Sequence, residues 1–197
     1  MNLALFDFDG TITTKDTLFD FIKYAVGIRV FVLKLFLLLP VLLLYGIKII
    51  PNWKAKQIVL KCYFAGWDYQ HFSLCGQRYA SERLPNIIRD IALHTIRSHI
   101  QNNDKVVVVS ASAEEWVKPW CQNYGIETIA TRLEVIGGTI TGNFEGKNCY
   151  GDEKVLQINR HYDVNLFDIV YAYGDSRGDK EMLALADIAY YKWKRVK

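Results

Sequence analysis

The sequence predicts an α/β fold: a doubly wound, largely parallel sheet into which an α-helical cap is inserted. Three observations carry this. The runs Leu3-Ala4-Leu5-Phe6, Lys105-Val106-Val107-Val108-Val109 and Ile169-Val170-Tyr171-Ala172-Tyr173 are short and almost wholly apolar, as strands covered on both faces are. Segments with helical spacing lie between them. Each run also ends abruptly in polar residues, and open α/β sheets bind ligands at that edge.

Taken in order, the first strand turns through Gly10-Thr11, and a helical region follows. Asp16 can cap a helix starting at Thr17, Pro51 and Asn52 can start a second over 53–64, and Asp68 can start a third ending before Pro85. Residues 86–102 read as an amphipathic helix with Ile87, Ile91 and Ile100 on its apolar face. After the second strand, residues 114–124 read as a helix closed by Gly125. A short strand is expected over 127–131, then a hairpin over 133–144 turning at Gly137-Gly138. Helices over 152–161 and 180–185 flank the third strand, and residues 187–190 make a last short one. This divides the chain into a core, 1–14 with 86–197, and a cap, 15–85.

The ends of the strands hold the chemistry. Residues two apart on an extended chain face the same way, so Asp7 and Asp9 emerge side by side where the first strand stops. The second strand ends in a hydroxyl, Ser110, and the third runs into Gly174-Asp175-Ser176-Arg177-Gly178-Asp179. Lys154 stands near the start of a helix, after Gly151-Asp152-Glu153. Each is an ordinary turn or surface residue when read alone. Their order, each at the end of a strand or the start of a helix, makes the set specific.

With these four motifs in order, the chain resembles the haloacid dehalogenase superfamily of phosphatases. It is most similar to the phosphoserine-phosphatase-like branch, which includes phosphatidylglycerophosphate phosphatases. Residues 129–135, the turn 137–142 and Cys149-Tyr150-Gly151-Asp152-Glu153-Lys154 carry that narrower likeness. The resemblance implies a Rossmann-like core and a Mg²⁺-dependent phosphomonoester hydrolase. It makes Asp7 the nucleophile that forms an aspartyl-phosphate, and Asp9 the acid/base. It makes Asp7, the Asp9 carbonyl and Asp175 the metal ligands, with Asp179 holding a metal-bound water or orienting Lys154. Ser110 and Lys154 would receive the phosphoryl oxygens, joined by Thr11 unless its hydroxyl serves the turn. Asp16 stands where the branch has an acidic residue that contacts substrate, and it equally suits a helix N-cap. A phosphotransferase using the same intermediate, or a non-catalytic lipid-binding protein, would keep the same fold.

Composition narrows the setting. A chain of 197 residues that is 51% hydrophobic can bury one substantial core and a modest insertion. Cys62, Cys75, Cys121 and Cys149 lie far apart, and His71, His94, His99 and His161 have no metal-ligand spacing, so neither a zinc site nor a disulfide framework is expected. A net charge of +3 with no base-reading motif argues against nucleic acid. The chain opens directly on a core strand, so no signal peptide is expected and the setting is cytoplasmic.

The insert is unusual. Between Phe21 and Trp67 there is no Asp or Glu, yet Lys23, Arg29, Lys34, Lys48, Lys54, Lys56 and Lys61 all fall there. Its centre, 30–47, is leucine-rich. The uncharged run 35–47 is shorter than the roughly 20 residues a spanning helix needs, and Pro40 is expected to interrupt it. Two readings stand: an apolar, basic segment lying peripherally on the inner face of an anionic membrane, or a cap hairpin buried on the core or a second subunit. The first would bring a lipid headgroup phosphate such as phosphatidylglycerophosphate to Asp7, and the second a small metabolite such as phosphoserine.

Overall fold

A computed structural model describes residues 1–197. Six strands form one sheet in the order β3 (Glu127–Thr131), β2 (Lys105–Ala113), β1 (Leu3–Phe6), β6 (Val170–Gly174), β7 (Ile188–Tyr191) and β8 (Lys194–Arg195). All neighbours are parallel except the short β8, which pairs antiparallel with β7. The order reverses at β1, whose partners on either side are β2 and β6. The crevice at the C-terminal end of β1 is therefore the switch point where such sheets place ligands.

The period-2 pattern of the strands sorts their side chains between two cores. Ala4, Phe6, Val106 and Val108 face one layer, and Leu3, Leu5, Val107 and Val109 face the other. Helices α6 (Asp152–His161) and α7 (Lys180–Leu185) cover the second layer, and α4 (Asp90–Gln101) and α5 (Glu114–Gln122) cover the first. The expected helix over 86–102 is divided: a 3₁₀ turn at Leu84–Ile87 precedes α4, because Pro85 supports the tighter turn and extended backbone at Ile88 and Arg89 breaks the run. His99 is a packing residue, held between Asp104 and the Tyr173 hydroxyl. The four cysteines are free.

Between β1 and β2 the chain forms α1 (Thr17–Gly46), α2 (Asn52–Phe64) and α3 (Tyr69–Glu82). Phe21, Phe64, Phe72, Tyr79 and Trp116 make the aromatic centre that joins these helices to α5. The hairpin β4 (Leu133–Ile136) and β5 (Thr139–Phe144) forms its own small sheet. It is bonded to the insert rather than to the main sheet: Gly66 and Tyr69 donate to Ile140 and Gly138 carbonyls, and Ile140 donates back to Trp67.

The structure corrects the reading of the leucine-rich stretch. Pro40 does not interrupt it; the helix continues through Pro40 to Gly46, and the one break in α1 is at Gly27, where φ is 77°. The expectation of a segment too short to span rested on the uncharged run beginning after Lys34. Lys34 is absorbed instead, because its ammonium donates to the Cys62 carbonyl at 2.7 Å and leaves the helix apolar along its outer side. By length and composition α1 is sufficient to cross a membrane.

One buried acid tests this packing. Glu115, at the start of α5, keeps one carboxylate oxygen buried without a partner, and burial pushes its carboxyl up to about 7. The folded state thus holds a proton that the unfolded chain releases, so stability falls as pH rises from about 4.5 to about 7 and stays reduced above that. Glu115→Gln is expected to raise unfolding free energy by about 1–3 kcal/mol at pH ~8 and to leave it unchanged at pH ~4, as measured by urea denaturation at the two pH values.

Candidate active site

The chain leaves β1 at Asp7 and turns at once. The Asp7 amide donates to the Tyr173 carbonyl at 2.9 Å, so the last β1–β6 bond fixes the carboxylate at the sheet edge. A tight turn over Phe8–Ile12 follows, with extended backbone at Asp9 and left-handed backbone at Gly10, φ 80°. Glycine is needed here for space as well as conformation, since a Cβ would lie 2.2 Å from a carboxylate oxygen of Asp175.

Lys154 sits at the centre of the site. It is buried, on the first turn of α6, and all three ammonium protons are used: Asp7 Oδ1 at 2.6 Å, Asp179 Oδ1 at 2.6 Å and the Val109 carbonyl at 2.8 Å. Burial alone would lower its pKa, but Asp7 and Asp179 outweigh it and hold the ammonium above the usual lysine value. Burial acts on the acids the other way. It pushes Asp7 up to about 7 against the pull of Lys154, with Asp179 and Asp9 adding to the rise. Burial, then Asp179, also raises Asp175. At Asp179 burial is overcome by Lys154 and the carboxyl is lowered. Asp179 Oδ2 is further bound by the amides of Asp175 and Ser176 and by the Ser176 hydroxyl, at 3.2, 2.9 and 2.8 Å.

Asp7, Asp175 and Asp179 offer carboxylate oxygens that all lie within 4.8 Å of one another. An all-oxygen donor set of this kind suits a hard divalent cation. It also leaves an excess of negative charge that one lysine does not neutralise.

The structure brings most of the sequence-predicted residues to one cavity of about 540 Å³, lined among others by Asp7, Asp9, Asp16, Lys154, Asp175 and Asp179. Asp16 does both things considered for it. Its side chain caps α1 through the Leu18 amide at 2.8 Å, and it lines the cavity. Thr11 and Ser110 are not on the cavity wall. The buried Thr11 hydroxyl donates to Asp7 Oδ2 at 3.1 Å, and Ser110 Oγ accepts from the Ser112 amide at 2.9 Å.

The structure adds four residues that the motifs do not mark: Thr17, Ser112, Trp116 and Lys56. Asp9 Oδ1 accepts from both the amide and the hydroxyl of Thr17, at 2.7 and 2.6 Å, and Oδ2 accepts from the Ser112 hydroxyl at 2.6 Å. Trp116 Nε1 in turn donates to the Thr17 hydroxyl at 3.0 Å. Ser112 was visible in principle, because it stands two residues after Ser110 on the same strand. Lys56, from α2, reaches across to the Ala111 carbonyl at 2.7 Å and lines the cavity opposite Lys154. Burial lowers its pKa, against Asp9 and Asp16 beside it.

This geometry agrees with comparison to known proteins. A profile of the haloacid dehalogenase-like hydrolases matches residues 4–184. The chain belongs to that family. It is 33% identical over 194 residues to "Protein CicA" of Caulobacter vibrioides, covering 96% of this chain and 85% of that one. It is 32% identical over 191 residues to a "Probable phosphatase" of Mycobacterium tuberculosis, covering 91% of this chain and 64% of that protein. Its fold is similar to a protein of unknown function from Bordetella pertussis, with a TM-score of 0.84 at 20% identity over 96% of this chain and 89% of the other. It is similar in fold to a phosphoserine phosphatase solved as a phospho-aspartyl intermediate analogue, with a TM-score of 0.68 at 20% identity over 96% and 85% of the two chains.

The contact at Gly10 gives a direct test of how tightly the site is built. Gly10→Ala forces its methyl into the Asp175 carboxylate and strains a left-handed backbone, so a stability loss of about 1–3 kcal/mol is expected together with loss of turnover. Thermal unfolding and hydrolysis of p-nitrophenyl phosphate measure the two effects.

Proposed function

We propose that the protein is a Mg²⁺-dependent phosphatase acting on phosphomonoesters through an aspartyl-phosphate. The observation that carries this is the buried Lys154 bonded to Asp7 and Asp179 beside Asp175, at the switch point of the sheet. In this reading residues 15–85 act as the cap over a core of 1–14 and 86–197. Asp7, the Asp9 carbonyl and Asp175 would hold the metal, with Asp179 holding a metal-bound water or orienting Lys154. The bound ion supplies charge neutralisation for the phosphoryl oxygens and favours the ionised carboxylates.

The chain's own groups have divided roles. Asp7 is the nucleophile: one carboxylate oxygen attacks phosphorus while the ester oxygen departs, leaving an acyl phosphate. Lys154 balances the charge on the phosphoryl oxygens and orients Asp7, which Thr11 also fixes through its other oxygen. Asp9 gives its proton to the leaving alkoxide and then takes one from the water that cleaves the acyl phosphate. Thr17 and Ser112 hold Asp9 at the base of the insert, while Lys154 and Thr11 hold Asp7. Two carboxylates can share the work in this way because their surroundings differ. Ser110 supports the phosphoryl site through the end of β2.

The substrate class we infer is a phosphate on a lipid headgroup, such as phosphatidylglycerophosphate, met at an anionic membrane surface on the cytoplasmic side. Leu42 and Tyr45 of the apolar helix line the cavity that holds Asp7, so the route to the nucleophile runs along an apolar wall, and Lys56 offers a second cation beside it. A cap for a small soluble metabolite has no need of such a wall.

Asp7→Asn should retain the fold by circular dichroism and lose p-nitrophenyl phosphate hydrolysis by at least about a thousandfold. An active variant would remove Asp7 from the role of nucleophile. Assay of a phosphomonoester panel containing phosphatidylglycerophosphate and phosphoserine, with Mg²⁺ and with EDTA, should give phosphate release that requires the metal and favours the lipid. Preference for phosphoserine would return the cap to small-metabolite selection, and transfer to an added alcohol in place of release would mark a phosphotransferase.

A further inference from the structure

The outer half of α1, residues 28–46, is about 28 Å long and most of it has no protein partner. Only 6% of its most apolar 18-residue window is buried. Leu33, Phe36, Leu37 and Leu43 are 67, 65, 71 and 68% exposed, and the uncovered arc continues through Val32 and Leu44. Among the outward positions of this half-helix only Arg29, at its start, is charged. A helix that is apolar nearly all round is not a solvated surface helix.

Its inner side is fixed. Phe31, Leu38 and Leu42 form a narrow stripe packed on the insert, and the helix is tied to α2 at both ends. The Tyr63 hydroxyl donates to the Phe31 carbonyl at 2.7 Å and Lys34 to the Cys62 carbonyl at 2.7 Å, while the Asn52 side chain donates to the Tyr45 hydroxyl at 3.2 Å. Crossing a bilayer would strip these contacts or drag in α2, which carries Lys54, Lys56 and Lys61. The charges around the helix have one sign. Lys23 and Arg29 are exposed near one end and Lys48 and Lys54 near the other, with Trp53 half-exposed beside them, and no acid occurs between Phe21 and Trp67.

We propose that residues 28–49 dock in the plane of an anionic lipid leaflet, with the Leu33, Phe36, Leu37 and Leu43 face among the acyl chains and the flanking lysines at the phosphates. The Phe31, Leu38 and Leu42 stripe stays on the protein. In place of the polar face of a free interfacial helix, α1 has a side held on the protein, and the basic residues and Trp53 at its ends suit the phosphates and headgroup level of an anionic leaflet. A second copy of the chain would bring the same positive charges together, which disfavours self-association. The docking deepens the lipid-phosphatase reading, because Leu42 and Tyr45 on the same helix line the catalytic cavity and its mouth would then open at headgroup level. The docking itself does not depend on catalysis.

The full-length protein is expected to sediment with vesicles of equimolar phosphatidylglycerol and phosphatidylcholine, not with phosphatidylcholine alone, and to be released by alkaline carbonate. Leu37→Glu combined with Leu43→Glu should weaken vesicle binding by about tenfold or more, and Lys48→Glu with Lys54→Glu should weaken it and flatten its salt dependence. Both variants should hydrolyse soluble p-nitrophenyl phosphate at the parent rate, which shows that they are folded. Asp7→Asn should bind vesicles like the parent, so failure of docking and failure of the phosphatase reading are read separately. No binding to anionic vesicles, retention through carbonate extraction as a spanning helix would show, or a lipid-free dimer abolished by the leucine substitutions would each overturn the proposal.

Discussion

The ammonium of Lys154, buried between Asp7 and Asp179 and closed off by the Val109 carbonyl, is the interaction on which the rest of the site depends. Two carboxylates less than 4.8 Å apart repel by about 3–4 kcal/mol at an effective dielectric near 20, and a third stands within the same radius. A cation among them offsets this repulsion where the backbone pairing of β1 with β6 brings the acids together. One charge inserted from α6 draws three segments together that are far apart in sequence: the end of β1, the start of α7 and the end of β2. It does not neutralise all three acids. The remaining charge is relieved by protonation, toward which Asp7 and Asp175 are shifted, or by a further cation, and the metal proposed at this cluster would supply the second.

A second network links the insert to the core. Asp9 belongs to the turn after β1, yet its three hydrogen bonds come from Thr17 at the start of α1 and Ser112 at the end of β2. Thr17 is held in turn by Trp116, which stacks on Phe21 at the aromatic centre of the insert. A shift of α1 is therefore felt at the Asp9 carboxylate through a single residue. Asp16 caps the same helix and borders the same cavity, so helix start and cavity wall are one structure.

The strand ends were legible in the sequence because period 2, strand length and abrupt polarity fix where an apolar run stops and which way its side chains face. Asp7, Asp9 and Asp175 stand at such ends, while Lys154, at a helix start, and Asp179, beyond a turn, stand out only through the order of the family's motifs. The turn of the Gly137-Gly138 hairpin was legible too, whereas α5 ends at Gln122 with Asn123 as its C-cap, short of the close expected at Gly125. What was hidden is tertiary. Nothing local says that Thr17 and Ser112 meet at Asp9, or that Thr11 turns its hydroxyl to Asp7 rather than to the cavity. Nor does any local signal say that the β4–β5 hairpin bonds to the insert instead of the sheet. Pro40 was misread for a related reason. Proline breaks a helix when its ring and its missing donor are not accommodated; here Pro40 is exposed on the outer side of α1 and the helix runs on through it.

The long helix shows why the misreading matters. If Pro40 had ended it, the leucines beyond would belong to a loop folded back on the cap, and the cavity would be walled by whatever packed there. Because the helix continues, one rigid element presents Leu42 and Tyr45 to the cavity on one side and an uncovered apolar arc on the other. The two sides cannot move independently. Whatever covers the arc also sets the orientation of the cavity mouth, and the ties from Phe31 and Lys34 to α2 carry the same constraint to Lys56. The apolar wall of the cavity is thus set by where α1 lies, while the cluster of acids around Lys154 is set by where β1 ends, and Thr17 is the residue at which the two meet.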